Sequence, residues 1–179
     1  MPTKLAPIIA ATTHWLIRAY PASAGTFSAT LAETQARQAA TVAAWLRYPT
    51  SVDAALLVIV GPGGAGRLDW LVGADTRALP DEEYAWRSWV DEVVASWAAC
   101  LLGDPVLATA AVAALHDCEY LHGLHCDFRR LTAPDERDRL AAPLLRHPDL
   151  LAPVAEVHRA ELLDRLRAGT AEADTAEAA

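Results

Sequence analysis

A stretch of apolar side chains after Pro80 places the strongest constraint on the fold of this chain. Its members recur at intervals of three and four residues: Trp86, Trp89, Val90, Val93, Trp97 and Leu101. Because successive helical residues rotate by about 100°, this spacing puts these side chains on one face of a helix. Acidic residues at 81–83 precede the stretch, where they favour a helix N-terminus. We therefore predict an amphipathic helix from Asp81 to Leu102.

Prolines and glycines divide most of the remaining chain into further helical segments. The predicted segments are residues 7–20, a helix from about residues 26–30 to Tyr48, a helix from Pro105 to at least His122, and residues 154–168, with Gly169 ending the last. Thr30 and Glu33 have the spacing of a capping box. Asp104 and Pro105 should cap and open the next helix, and the short connection predicts that it packs antiparallel to the Asp81–Leu102 helix. Prolines 143, 148 and 153 should divide the stretch before the last of these helices into short turns.

One segment departs from the helical pattern. Residues 55–60 form a short apolar run with β-branched members, and a glycine-rich turn and an alternating stretch at 67–72 follow it. Two strand-length runs around such a turn predict a β-hairpin near residues 54–73. An alternative is a short buried helix over residues 52–60, capped from Thr50 or Asp53.

The composition is that of one folded domain. At 179 residues and 53% hydrophobic content the chain can bury a single core. The predicted fold class is mainly α (α+β): a single-domain helical bundle over residues 1–168 with one β-hairpin, followed by a disordered acidic tail over residues 169–179. A net charge of −8 opposes binding to nucleic acid or anionic lipid. No apolar run reaches the ~20 residues of a membrane span, so we expect no membrane partner.

Two features bear on the cellular context. Three cysteines are too few for a disulfide framework and suit a reducing cytoplasm, and the predominance of arginine over lysine points to a GC-rich bacterium. An alternative treats residues 5–24 as an imitation of a secretory signal, but Pro7, His14 and Arg18 interrupt the apolar stretch.

The densest supply of chemically active side chains lies between His116 and Asp127. On a helix that continues through residue 123, one stripe and its borders carry the candidate metal ligands Cys118, Glu119, His122, His125 and Cys126. Imidazole and thiolate groups one turn apart can grip a transition metal such as zinc or iron. The Glu119-x-x-His122 spacing occurs in di-iron helical bundles, although no second copy is present. A cysteine nucleophile at Cys118 or Cys126 is a further alternative, and packing and solvation of these side chains is the simplest reading.

A second candidate site is the glycine-rich turn. Gly61, Gly63 and Gly66 satisfy Gly-x-Gly-x-x-Gly after a strand-like run, a context in which backbone amides meet the phosphates of a nucleotide. Arg67 and Leu68, however, stand where a P-loop has lysine and Ser/Thr, and no second parallel strand follows. An ordinary hairpin turn explains the same glycines.

The functional expectation rests on the tryptophans and on the absence of a convincing catalytic set. Trp86, Trp89 and Trp97 share one helix face, which favours core packing but also suits a partner interface. We expect a non-enzymatic protein-interaction module, an accessory subunit or modulator of a larger complex, with a protein partner and no cofactor; a homo-oligomer is compatible with this expectation. The alternatives are a metal-dependent enzyme or metal sensor that uses the 116–127 cluster, and a small nucleotide-binding protein that uses the 61–66 loop.

Overall fold

The computed structural model describes residues 5–19, 25–50, 52, 91–116, 127–141 and 148–177. Within these ranges the backbone is mostly helical and contains no strand, so the helical class is confirmed there and its β component is not found. The β-hairpin predicted near residues 54–73 lies outside the described residues, and so does the alternative helix except for Val52.

The described part of the chain contains eight helices. They are α1 (Ala6–Ala19), α2 (Thr26–Arg47), α3 (Glu92–Gly103), α4 (Pro105–Ala113), α5 (Arg129–Thr132), α6 (Glu136–Ala141), α7 (Pro148–Glu156) and α8 (Arg159–Glu177).

Helices α2 and α3 form the centre of the core. Residues 39–46 of α2 and 94–102 of α3 are buried almost without interruption. Many of these residues are alanines, whose small side chains allow helix axes to approach closely. Helix α1 packs against α2, α7 packs against α3, and α5 and α6 pack against α2.

Residues 5–19 and 25–50 agree with prediction except at one helix start. Helices α1 and α2 fall where the sequence placed them. The capping box expected at Thr30 and Glu33 is wrong, because α2 begins one turn earlier, after Gly25 with its positive φ of 89°. Thr30 therefore lies inside the helix, where its hydroxyl donates to the Thr26 carbonyl oxygen.

The described part of the predicted Asp81–Leu102 helix begins at Glu92 and does not continue through Asp91. The backbone of Asp91 is extended, and its carboxylate accepts bonds from the Val93 and Val94 amides, which makes it the N-cap of α3. The cap predicted at Asp104 is confirmed, since its carboxylate accepts from the Val106 and Leu107 amides. The chain turns by 120° between α3 and α4, so the two are less than fully antiparallel.

Helix α4 ends well before the predicted position at His122. After Ala113 the chain tightens into a turn, in which the Leu115 and His116 amides donate three residues back. This turn buries the Leu115 side chain in the core. The continuous helix that was expected to align the histidine and cysteine side chains is therefore broken at Ala113.

Residues 148–177 contain more helix than predicted, although the helix predicted over residues 154–168 is divided between α7, which ends at Glu156, and α8, which begins at Arg159. Residues 148–156 form α7 around Pro153 where short turns were expected, with Pro148 at a helix start that needs no amide donor. Helix α8 continues past Gly169 to Glu177, because Gly169 does not adopt the left-handed conformation that ends a helix. Disorder of the 169–179 tail stays a prediction.

Candidate functional site

The predicted metal ligands lie outside the described residues. Cys118, Glu119, His122, His125 and Cys126 all fall between residues 117 and 126. The two ends of the cluster are described: His116 is exposed in the turn after α4, and the exposed Asp127 accepts a bond from the Arg129 amide. Elsewhere in the described ranges, no group of three His, Cys, Asp or Glu side chains could hold a metal ion.

The predicted nucleotide and partner residues are described only at Trp97. Gly61, Gly63, Gly66, Arg67, Trp86 and Trp89 all lie outside the described residues. Trp97 is 4% exposed, and its Nε1 donates to the His158 carbonyl oxygen at 3.1 Å. This ring belongs to the core, the role that the sequence favoured for the stripe, and we place no partner contact on it.

A buried carboxylate organises the segment that follows the histidine-rich stretch. The Asp138 side chain is 0% exposed and accepts bonds from the Arg129 guanidinium at 3.2 Å and from the Arg130 guanidinium. Asp135 and Asp138 also form a reciprocal capping box at the start of α6, in which each carboxylate accepts the other residue's amide. The arginines are 45% and 31% exposed, so the cluster connects a buried anion to the surface.

The contacts of Asp138 decide its protonation state. Burial raises the pKa of this carboxyl, but the Asp135 amide and the Arg130 guanidinium, with help from the charge of Arg129, lower it by more. The net pKa lies below the ordinary value, so Asp138 is an anion at neutral pH. It accepts hydrogen bonds and cannot act as a proton donor there.

Helix α2 holds this segment through two glutamines. Gln35 Nε2 donates to the Asp138 carbonyl oxygen and Gln38 Nε2 to the Asp127 carbonyl oxygen, each at 2.8 Å. One face of α2 continues to Trp45, whose ring meets Phe128 edge to face at 6.2 Å. We call this contact between the 35–45 stretch of α2 and residues 127–138 the glutamine seam.

A second polar group joins α3 to the junction of α7 and α8. The Ser96 hydroxyl and the Cys100 thiol both donate to the Ala155 carbonyl oxygen at 3.1 Å, and the His158 amide donates to Ser96 Oγ. These bonds satisfy the end of α7. Burial raises the pKa of Cys100 despite the nearby Arg159 guanidinium, so the thiol is not activated as a nucleophile.

The His158 ring at this junction does not complete a catalytic set. Its Nε2 lies 3.6 Å from a Glu92 oxygen and its Nδ1 lies 3.3 Å from a Glu161 oxygen. Because the two carboxylates face opposite ring nitrogens, one ion could not bind both carboxylates and the ring. Ser96 Oγ instead accepts a hydrogen bond from the His158 backbone amide. The arrangement is structural.

The surface carries one unusual helix face. Helix α4 is the only described helix without a charged residue. Its buried side is Leu107, Ala108 and Ala111, while the opposite side exposes Val106, Thr109, Ala110 and Ala113. Val106 is 80% exposed. We call these four exposed residues the α4 face.

In the described residues, no single helix has the length and apolar character to cross a membrane, although α3 and α4 together meet that test as a pair with a 120° bend.

The Asp138 cluster and the glutamine seam were not predicted from the sequence. The Asp135-x-x-Asp138 spacing directly after Pro134 is a capping-box signal that could have located α6. The glutamine contacts join residues that are 103 and 89 positions apart in the sequence, and no local sequence pattern predicts them. No protein-family model, curated protein or solved structure matches this chain.

Proposed function

We propose that this chain is a non-enzymatic protein-interaction module, an accessory subunit or modulator of a larger complex in the bacterial cytoplasm. The observation that carries the proposal is the α4 face. Its members recur at i, i+3, i+4 and i+7, which forms one continuous stripe along the helix. An exposed uncharged stripe of this kind is a typical contact surface for another protein.

The α4 face can be covered without leaving a polar group unsatisfied. The Thr109 hydroxyl already donates to the Pro105 carbonyl oxygen at 2.8 Å, and the first amides of the helix bond to Asp104. Covering the face therefore removes apolar surface from water and breaks no hydrogen bond. The cost of desolvation that opposes many protein contacts is small here.

The chemistry of the face and its surroundings defines the partner. The stripe is uncharged and its side chains are small, so it suits an apolar helix or ridge that approaches the α4 backbone closely. The whole chain carries a net charge of −8, so a partner with basic residues around its apolar patch would be favoured over an acidic one.

The experiment compares two exposed helical alanines. The chain and its Ala110→Arg and Ala168→Arg variants are tagged and expressed in the source organism, and stoichiometric companions are identified after purification. Ala110 lies on the α4 face, whereas Ala168 is an equally simple exposed position on α8. We expect a basic protein companion with the wild type and Ala168→Arg and its loss with Ala110→Arg.

Three results would contradict the proposal. These are recovery of the companion with Ala110→Arg, loss of the companion with both variants, and recovery of the wild type as a lone monomer. Thermal unfolding of each variant shows whether loss of the companion is accompanied by loss of the fold, in which case a Thr109→Asn variant replaces Ala110→Arg.

A further inference from the structure

The glutamine seam contains a concentration of buried polar atoms that have no protein partner. Among the described residues, the buried side-chain atoms without a hydrogen bond are Thr12 Oγ1, Thr13 Oγ1, Gln35 Oε1, Gln38 Oε1 and Trp45 Nε1. Buried polar groups are nearly always hydrogen-bonded, to protein or to ordered water. The last three of these atoms belong to side chains that face the same segment, residues 127–138.

The two glutamines are neighbours on α2. Gln35 and Gln38 are three residues apart on α2, so their side chains leave the helix on the same face about 4.5 Å apart along its axis. Each amide nitrogen is committed to a carbonyl oxygen of the opposite segment, which fixes the orientation of the amide. Both free oxygens are therefore acceptors, and each needs a donor hydrogen.

The tryptophan presents the opposite requirement. Trp45 is two turns further along α2, about 10 Å from Gln38. Its ring contacts Phe128. Phe128 directly follows Asp127, whose carbonyl oxygen accepts the hydrogen bond from Gln38. Its Nε1 is a donor only, so it needs an acceptor.

We propose that the glutamine seam binds ordered water at two positions. At one position a water donates its two hydrogens to Gln35 Oε1 and Gln38 Oε1. At the other a water accepts from Trp45 Nε1. Water fits because it both donates and accepts, and because a bound metal cation beside Gln35 would be repelled by the guanidinium groups that surround Asp138. This site is separate from the α4 face.

Water–protein NMR on the isotope-labelled full chain tests the proposal. The indole proton of Trp45, assigned by its loss in Trp45→Phe, should show NOE and ROE cross-peaks to water with the opposite signs of a long-lived bound molecule. Trp97 is the matched control, because its Nε1 donates to the His158 carbonyl oxygen and should show no such pair. Equal behaviour of the two indoles would overturn the Trp45 position.

The glutamine position is tested by the side-chain amide protons. In the wild type, the Gln35 and Gln38 amide protons should show the same pair of cross-peaks to water. A Gln38→Met variant removes one acceptor, so the water signal at Gln35 should disappear while that at Trp45 remains. Absence of water signals at both glutamines in the wild type, or an unchanged Gln35 signal in the variant, would overturn this position. The wild-type measurement decides even if the variant does not fold.

Discussion

Asp138 shows how one buried charge can set the position of a whole segment. Its carboxylate is completely enclosed, yet the two arginines that pair with it reach the surface. Because the anion receives hydrogen bonds from a backbone amide and two guanidinium groups, burial does not force it to take up a proton. The residue is therefore structural, and its removal should affect stability first.

We predict that Asp138→Asn lowers the free energy of unfolding by about 3 kcal/mol, the lower end of the range for breaking a buried ion pair. The value is at the lower end because both arginines are partly exposed and can regain water. Urea denaturation measures it. The control is Asp164→Asn. The side chains of Asp164 and its partner Arg167 are both 74% exposed, so loss of this ion pair should change the free energy of unfolding by about 0.5 kcal/mol or less. Equal effects of the two substitutions would contradict the prediction.

The lowered pKa of Asp138 also predicts a dependence on pH. A carboxyl whose folded pKa is depressed contributes stability that is complete above its unfolded pKa and is lost as the pH falls toward the folded pKa. The difference in unfolding free energy between the wild type and Asp138→Asn should therefore be constant above about pH 5 and shrink below about pH 4. Denaturation curves at several pH values check this, and a difference that grows on acidification would refute it.

The buried thiol gives a third prediction at this scale. Cys100 is enclosed, donates to the Ala155 carbonyl oxygen and has a raised pKa, so little thiolate exists at neutral pH. Iodoacetamide should modify Cys100 only when the protein is unfolded in urea. Peptide mass spectrometry before and after denaturation reads this out, and rapid modification of the native protein would show that the α3–α7 contact opens readily.

At the scale of elements, two glycines in helices occupy opposite surroundings. A Cβ added at Gly103 would lie 3.1 Å from Leu151 Cδ2 on α7, whereas one added at Gly169 would meet nothing within 4 Å. The absence of a side chain at Gly103 therefore allows α7 to pack closely against α3, whereas Gly169 makes no close packing contact possible in α8. Close packing explains the glycine in α3, and nothing in the structure explains the glycine in α8.

The two glycines should respond oppositely to alanine. Gly169→Ala should stabilise the protein by about 0.5–1 kcal/mol, because alanine loses less backbone entropy in a helix. Gly103→Ala should destabilise it by about 1 kcal/mol, because the new methyl group displaces Leu151. Thermal unfolding of both variants measures the difference, and a gain in stability from both would show that α7 shifts away at little cost.

Elements could be predicted from the sequence where the signal is local. Asp104 and Pro105 mark the start of α4 because a cap and a first-turn proline act within three residues. The helix start at Asp91 was missed because the apolar periodicity of the sequence continues across it, and the early end of α4 was missed because burial of Leu115 is a tertiary effect. The glutamine seam depends on contacts about 100 residues apart, which a single sequence does not encode in any readable pattern.

At the scale of the whole molecule, the metal hypothesis and the interaction proposal predict different compositions. An interaction module requires no metal, so protein purified without chelator should contain no stoichiometric zinc or iron by elemental analysis. Stoichiometric metal that is lost in a His122→Ala/His125→Ala double variant would instead favour a metal-dependent enzyme or sensor. Addition of nucleotides without any rise in melting temperature would likewise count against the 61–66 loop as a nucleotide site.

The order in which the core is covered has a consequence for synthesis. Helix α3 is the most deeply buried of the described helices. Its Ser96, Trp97 and Cys100 side chains bond to residues 155–158, and Arg165 of α8 donates to the Leu46 carbonyl oxygen at the end of α2. A nascent chain that has emerged only to Ala141 would leave this apolar helix open on the side that α7 covers. Ribosome-bound intermediates would therefore expose this apolar surface to chaperones until residues 148–158 leave the exit tunnel.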